Sequence, residues 1–318
     1  MTPPHSSAIR IASADLPLAV GPQTMTMGGC MTENVITLLG EALTEETVAA
    51  AAREVAPVRK EWIVPGHACD LFIAEMTPEL EKRLGGLGLP VDWVVQPVKH
   101  QRKQLLIADM DSTIITVECL DELADFVGRK AEVAEITARA MNGELEFEPA
   151  LKERVALLEG LPEDVLQQCY NERVRFTPGA RELVQTMRGS GAYCVLVSGG
   201  FTFFTSRVAE AVGFHEHHAN RLEIMNGKLT GRVMPPILGK QAKREALERL
   251  LRERDIKRED VLAVGDGAND LPMLLAAGLG IAYHAKPAVQ AQARHRINRC
   301  DLRALLWMQG LRDAPTGG

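Results

Sequence analysis

Unbroken apolar runs of four or five residues recur through the later two thirds of the chain. Each stops at a polar residue or a glycine. Residues 105–108 (LLIA) end in Asp109, residues 193–197 (YCVLV) end in Ser198, and residues 261–264 (VLAV) end in Gly265-Asp266. A strand that is apolar on every residue is covered on both faces, which is the pattern of a parallel sheet with helices on either side. Residues 279–283 (LGIAY) make a fourth such run, and helical periodicity over 177–190, 201–212, 240–253 and 269–277 supplies the crossovers. The fold class expected is therefore α/β, a Rossmann-like parallel sheet. In such sheets ligands sit beyond the carboxyl ends of the strands, so Asp109, Ser198 and Asp266 are expected to face one crevice.

Two segments break the alternation. Residues 118–171 carry roughly four amphipathic helical patterns, too many for one crossover, and are read as a helical cap inserted after the first strand. Residues 221–233 read as a β-hairpin turning at Asn226-Gly227, a pair suited to a type I′ turn. Ahead of the sheet, residues 34–96 give the order βαββαβ of a small ferredoxin-like α+β unit, with Thr77-Pro78 marking a helix start. His67 and Asp70 in that unit read as surface polarity, and 97–103 as a polar, basic linker. Residues 1–30 lack a basic start followed by an apolar core, so they read as a loose extension rather than a signal peptide, with Met31 as an alternative start. The expected division is 1–30 extension, 31–97 small domain, and 104–310 main domain with its cap at about 118–171.

Charge narrows the function. With 36 Lys and Arg against 42 Asp and Glu, the net charge of −6 disfavours a nucleic-acid binder. It also means that a phosphate ligand needs local positive charge or a metal. No apolar stretch is long enough to span a bilayer, which argues against a membrane partner. Six cysteines without a CxxC pair read as reduced thiols of a cytoplasmic protein. Neither the three histidines His215, His217 and His218, read as an exposed loop, nor the arginines 294, 296, 299 and 303, read as a solvated face, suggests a second site.

The candidate chemistry lies at the strand ends. In Asp109-Met110-Asp111-Ser112-Thr113 the two carboxylates are two positions apart, so extended backbone puts them on one side. One can serve as a nucleophile and the other as a general acid or base. Gly265-Asp266-Gly267-Ala268-Asn269-Asp270 brings two more carboxylates to the same crevice. Four acids in one place call for a hard cation with oxygen ligands, for which Mg²⁺ is suited. Ser198-Gly199-Gly200, read as a helix start, offers a hydroxyl and amide N–H groups to an anion, and Lys240 or Lys243 could offset phosphate charge. Taken singly, each motif is also the pattern of an ordinary turn or a solvated helix. Their order and their shared place at sheet ends argue for a site.

These motifs, DMDST, SGG, a lysine after a hairpin, and GDGAND, resemble the ordered motifs of the haloacid-dehalogenase-like (HAD-like) phosphohydrolase superfamily. Longer stretches, among them ECLDELAD, MNGELEFEPALKERVALLEGLP and VGDGANDLPML, closely resemble its phosphoserine phosphatase family over about residues 104–300. The small domain resembles the ACT-like unit that precedes many bacterial members. The resemblance implies Mg²⁺-dependent hydrolysis of O-phosphoserine to serine and phosphate, the last step of serine biosynthesis. Asp109 would be the nucleophile and Asp111 the acid and base. Mg²⁺ would be held by the Asp109 and Asp266 side chains and the Asp111 carbonyl, with Asp270 behind them. Ser198, Gly199, Lys243 and Asn269 would hold phosphate, and the family's motif favours Lys243 over Lys240. Glu118, nine positions after the nucleophile, would meet the ammonium and Arg154 the carboxylate, with Met141 and Phe147 lining the pocket. The partner implied is the small-molecule substrate; a homodimer is allowed but not indicated. The alternative is phosphoryl transfer from phosphoserine to another alcohol such as homoserine.

Overall fold

The structure, a computed structural model, describes residues 33–142 and 144–312; the side chains at 141 and 240 are not described. The extension expected over 1–30 and the alternative start lie outside the described residues.

The chain opens with β1 (Asn34–Leu39), α1 (Glu45–Val55), β2 (Arg59–Val64), β3 (Ala68–Ile73), α2 (Pro78–Gly86) and β4 (Asp92–Pro97). Both helices start where side-chain oxygens meet the first free amides. Thr44 accepts from the Thr47 N–H and Thr77 from the Leu80 N–H, with Pro78 in the first turn. The four strands pair antiparallel in the order β2-β3-β1-β4. Ile36, Leu38 and Leu71 pack with Val48, Ala51 and Leu84 of the two helices. Leu39, Ile63, Ala68 and Val94 belong instead to the same apolar core as Trp307 and Met308 at the far end of the chain.

That second contact corrects two expectations. Asp70 is not surface polarity: it is 1% exposed, accepting from the Thr37 hydroxyl at 2.6 Å and from Gln101 Nε2 at 2.8 Å. His67 packs beside Trp307, the two rings tilted by 34° with centroids 5.5 Å apart. Residues 97–103 are not simply a polar, basic linker either. Lys103 is buried, and its ammonium donates to the carbonyls of His100 and Glu259 at 2.6 and 2.9 Å. Asp92 accepts from the Asn298 and Arg299 amides at 2.8 and 2.7 Å, and Gln96 donates to Met308 O at 2.7 Å. Sequence periodicity is blind to such burial because it depends on a surface some two hundred residues away.

Burial pushes the Asp70 carboxyl up to about 6, against the two hydrogen bonds that favour its ionised form. A carboxyl that titrates higher when folded than when unfolded stabilises the fold most below the unfolded value, near 3.9. That contribution declines as pH rises to about 6 and is flat above. Asp70→Asn does not titrate there, so the wild-type-minus-variant unfolding free energy should fall by roughly 2–3 kcal/mol between pH 4 and pH 7. Urea titrations at several pH values would measure it, and a pH-independent difference would contradict the assignment.

The rest of the chain forms β5 (Leu105–Ala108), four helices α3 (Cys119–Asp125), α4 (Lys130–Met141), α5 (Phe147–Ala156) and α6 (Asp164–Arg173), then α7 (Ala180–Gly189), β6 (Tyr193–Phe201), α8 (Thr202–Val212), β7 (Glu216–Met225), β8 (Lys228–Met234) and α9 (Lys240–Arg254). It closes with β9 (Val261–Gly265), α10 (Leu271–Ala276), β10 (Leu279–Tyr283), α11 (Pro287–Gln290), β11 (His295–Ile297) and α12 (Ala304–Trp307). The seven strands run in the order β11-β10-β9-β5-β6-β7-β8 and are parallel except for the β7–β8 hairpin. This is the α/β class expected from the apolar runs, and β5, β6 and β9 are buried along LLIA, YCVLV and VLAVG except for a half-buried Tyr193. The sheet packs tightly against its helices: a Cβ added to Gly280 would sit 2.0 Å from the Leu274 carbonyl oxygen.

Order reverses at β5, which lies between β9 and β6, so the crevice opens at the ends of these three strands. The helices α3–α6 all fall in the segment after β5 where a cap was expected. The hairpin turns at Asn226 and Gly227, both with positive φ. It also supports the cap: Gly160 N donates to Leu229 O and Leu229 N to Leu161 O, each at 2.9 Å.

Two further local expectations change. Ser198-Gly199-Gly200 is the extended end of β6, with a register shift before Phe201, and not a helix start. Of the three histidines, only His215 lies in the exposed loop expected. His217 and His218 lie in β7, and their neighbour His215 accepts from the Cys194 amide at 3.0 Å. His217 bonds the Thr205 hydroxyl at 3.0 Å, and His218 pairs with Glu216, so each ring has its own partner. The basic C-terminal stretch is the solvated face expected: Arg294, Arg296 and Arg299 are exposed, while His295 is buried between two of them, the alternation of an edge strand.

Candidate active site

The crevice is built by strand ends below and cap helices above, and encloses a cavity of about 130 Å³. Asp109 follows the last residue of β5, and its amide donates to Val264 O of β9 at 3.0 Å. The chain then kinks: Asp111 is extended (φ −66°, ψ 138°) and Ser112 is left-handed (φ 53°). This costly conformation for a non-glycine residue turns the Ser112 hydroxyl onto Glu118 Oε1, 2.5 Å away. Asp111 Oδ1 accepts weakly from the Cys119 amide at 3.4 Å, at the start of α3.

On the floor, Ser198 is 2% exposed and its Oγ accepts from the Gly200 amide at 2.9 Å. Asn220 of β7 ties this segment to the chain before α9: its amide group donates to Gly199 O at 2.9 Å and accepts from Leu238 N at 2.7 Å. Lys243 of α9 is 2% exposed, with Nζ 2.6 Å from Asp109 Oδ1 and 2.5 Å from Asp270 Oδ1. The other oxygen of Asp270 accepts from the Asp266 and Gly267 amides at 3.1 and 2.9 Å. A Cβ on Gly265 would lie 2.4 Å from the Asp270 carboxyl carbon, so only glycine lets the loop close this way. Asn269 lines the cavity beside Ser198 and Gly199.

Carboxylates of Asp109, Asp266 and Asp270 approach within 4.8 Å of one another. Asp266 Oδ1 accepts from the Thr113 hydroxyl at 3.3 Å, whereas Oδ2 is buried without a hydrogen-bond partner, the Lys286 ammonium standing 3.9 Å away. An orphaned carboxylate oxygen in an all-oxygen acidic cluster fits a hard divalent cation. Asp270 is already engaged by Lys243 and two amides, which leaves Asp109 and Asp266 as the side chains open to a metal.

Burial and crowding set the protonation. Burial, with the Asp270 charge beside it, pushes Asp109 up to about 7 against the pull of Lys243. Lys243, wedged between two carboxylates, is held above its ordinary value despite burial. Asp111 is raised well above the carboxylate range by burial and by the charges of Glu118 and Asp109. Glu118 is raised by burial, the Ser112 hydroxyl acting the other way.

The cap completes the walls. Glu118 and Arg154 both line the cavity, the latter 7% exposed on α5. Phe147 covers Gly199 so closely that a Cβ there would be 2.8 Å from the ring. Thus Asp109, Asp111, Glu118, Phe147, Arg154, Ser198, Gly199 and Asn269 meet around one cavity, with Lys243 and Asp266 behind it. Met141 ends α4, but its side chain is outside the described residues, as is that of Lys240. Sequence reasoning passed over Ser112, Thr137 and Asn220. The positive φ of Ser112 and the tertiary partners of the other two leave no trace in spacing.

The family model described as haloacid dehalogenase-like hydrolase matches residues 106–275. A curated phosphoserine phosphatase from Archaeoglobus fulgidus is 43% identical over 231 residues, covering 72% of this chain and 66% of that one. A HAD family hydrolase from Salmonella enterica serovar Typhi has a TM-score of 0.78 at 30% identity, over 87% of this chain and 98% of the other. A solved phospho-aspartyl intermediate analogue of phosphoserine phosphatase is 40% identical, with a TM-score of 0.62 over 65% of this chain and 98% of that one.

Proposed function

Because the chain belongs to the haloacid dehalogenase-like hydrolases, we propose that its site is that of a phosphoserine phosphatase, which hydrolyses O-phosphoserine to serine and inorganic phosphate through an aspartyl-phosphate on Asp109. The observation that carries the reading is the layout of the cavity: hydroxyl, amide and lysine at the floor, a carboxylate and a guanidinium at the cap. A phosphomonoester needs the first set, and only an amino-acid ester needs the second.

The Ser198 hydroxyl, the Gly199 amide, Asn269 and Lys243 hold phosphate oxygens. An Asp109 carboxylate oxygen attacks phosphorus while Asp111, protonated because it is buried among carboxylates, gives its proton to the departing serine oxygen. Asp111, now ionised, takes a proton from the water that attacks the phosphorus of the acyl-phosphate, and Asp109 is released. Mg²⁺ would be held by Asp109, Asp266 and the Asp111 carbonyl, where it would offset phosphate charge; the orphaned Asp266 Oδ2 supports this. Asp270 steadies Lys243 and the loop bearing Asp266. Glu118 receives the ammonium and Arg154 the carboxylate, with Phe147 closing the pocket.

The division into an ACT-like domain at 31–97 and a phosphatase domain at 104–310 is part of this proposal, supported by the two separate sheets. So is a cytoplasmic setting, supported by five buried free cysteines among the described residues. No described helix is long and apolar enough to cross a membrane.

The test is phosphate release from phosphoserine with Mg²⁺, with EDTA, and with homoserine as acceptor. Hydrolysis is expected to require Mg²⁺ and to yield one free phosphate per serine whether or not homoserine is present. Phosphohomoserine as the main product would favour transferase chemistry, and release that ignores EDTA would remove the metal from the proposal.

A further inference from the structure

The Arg154 guanidinium is fastened at two of its three nitrogens. Its Nε donates to Ala150 O one turn back on α5, at 3.1 Å, and Nη1 donates to Thr137 Oγ1 on α4, at 2.9 Å. Thr137 is 3% exposed and lines the cavity. Its hydroxyl in turn reaches Asp121 Oδ1 on α3 at 2.6 Å, with Val133 O at 2.9 Å as the other acceptor within reach.

A hydroxyl has one proton and two lone pairs, and a guanidinium can only donate. The Arg154 contact therefore uses a lone pair of Thr137, and the proton is left for the charged, nearer Asp121. Three cap helices thus meet at one oxygen atom, and the chain Asp121–Thr137–Arg154 has a fixed direction. With Nε and one Nη1 hydrogen committed, Nη2 and the second Nη1 hydrogen remain for a ligand in the cavity.

We propose that Thr137 is a positioning residue for substrate selection: its oxygen, oriented by Asp121, holds the Arg154 guanidinium at the angle that receives the carboxylate of an amino-acid phosphoester. The inference rests on the assignment of Arg154 to that carboxylate. Without the hydroxyl, Asp121 and Arg154 are opposite charges in a poorly hydrated space. The guanidinium then turns to Asp121 and competes with the substrate for its own donors.

The experiment compares kcat/KM for phosphoserine with that for phosphoethanolamine, which lacks the carboxylate. Enzymes needed are wild type, Thr137→Val, Thr137→Ala, Thr137→Ser, Arg154→Ala and the Thr137→Val/Arg154→Ala double variant. Both Thr137→Val and Thr137→Ala should lower the ratio about tenfold, mostly through KM for phosphoserine, as the loss of one hydrogen bond to a charged group implies. Thr137→Ser should restore it. In the Arg154→Ala background, Thr137→Val should change the ratio no further. A hydroxyl that merely ties cap helices together would lower both substrates alike, and that result overturns the proposal. So does an equal fall in the ratio with and without Arg154. If the wild type releases no phosphate from phosphoserine, the functional reading fails first. If Arg154→Ala alone keeps the wild-type ratio, the assignment of Arg154 fails and takes this inference with it.

Discussion

Asp109→Asn is expected to abolish turnover and to leave the fold intact. Asp109 sits at the end of β5 with its amide bonded to Val264 O, and that backbone contact survives the substitution. Its Oδ1 accepts from Lys243 at 2.6 Å, which an amide oxygen can also do. What the amide cannot do is attack phosphorus: it has no anionic oxygen, and no other carboxylate occupies its position at the cavity floor. Burial and the charges of Glu118 and Asp109 push the Asp111 carboxyl well above the carboxylate range, which makes it a poorer nucleophile. Asp270 is fully engaged by Lys243 and two amides. Removal of a covalent nucleophile costs many orders of magnitude in other hydrolases, so kcat should fall by well over a hundredfold. Stability should hold or rise, because the wild-type carboxyl is buried among other acids and pushed up to about 7. Acid-quenched protein from a reaction with labelled phosphoserine should carry label in the wild type and none in the variant. A variant with more than about a hundredth of wild-type kcat would exclude Asp109 as the nucleophile.

What the chain discloses in advance follows from how local each feature is. Strands β5, β6 and β9 were legible because both of their faces are covered, and that condition is written as consecutive apolar residues. The acids at their ends were legible because topology alone brings strand ends together, without any knowledge of side-chain packing. Lys243 was harder: two lysines lie three apart on α9, and its depth between Asp109 and Asp270 is a property of the helix's docking. Asp70 was misread for the same reason. A polar residue in a strand is normally solvent-facing, and here the second surface comes from the C-terminal segment. Thr137 sits in an ordinary amphipathic helix, where a threonine next to apolar positions reads as neutral. Only the meeting of α3, α4 and α5 makes its hydroxyl a junction. Chemistry that depends on strand order is thus visible early, whereas chemistry that depends on helix rotation is not.

Glu118→Gln and Arg154→Ala should each cut kcat/KM for phosphoserine by about ten- to a hundredfold, the equivalent of roughly 1.5–3 kcal/mol for one charge-assisted contact in a dry pocket. On the proposed reading the floor of the cavity meets only the phosphate, so a substrate without an amino-acid group should respond far less. The two residues should also separate by substrate. Phosphoethanolamine keeps the ammonium and lacks the carboxylate, so it should feel Glu118→Gln and be nearly indifferent to Arg154→Ala. p-Nitrophenyl phosphate has neither group and should be nearly indifferent to both. The geometry gives the two substitutions different side effects. Glu118 accepts from Ser112, and Gln can keep that bond through its amide oxygen, so the change is chiefly one of charge. Arg154→Ala leaves a lone pair of the buried Thr137 oxygen without its donor and removes a second bond to the Ala150 carbonyl, which keeps its helical one, so some loss of stability accompanies it. Thermal unfolding of each variant therefore belongs beside the kinetics. Loss confined to phosphoserine in a variant that still melts well above the assay temperature assigns recognition to the residue. Equal loss on all three substrates would make Glu118 and Arg154 supports of the cap, and the choice of an amino-acid ester would then need another source.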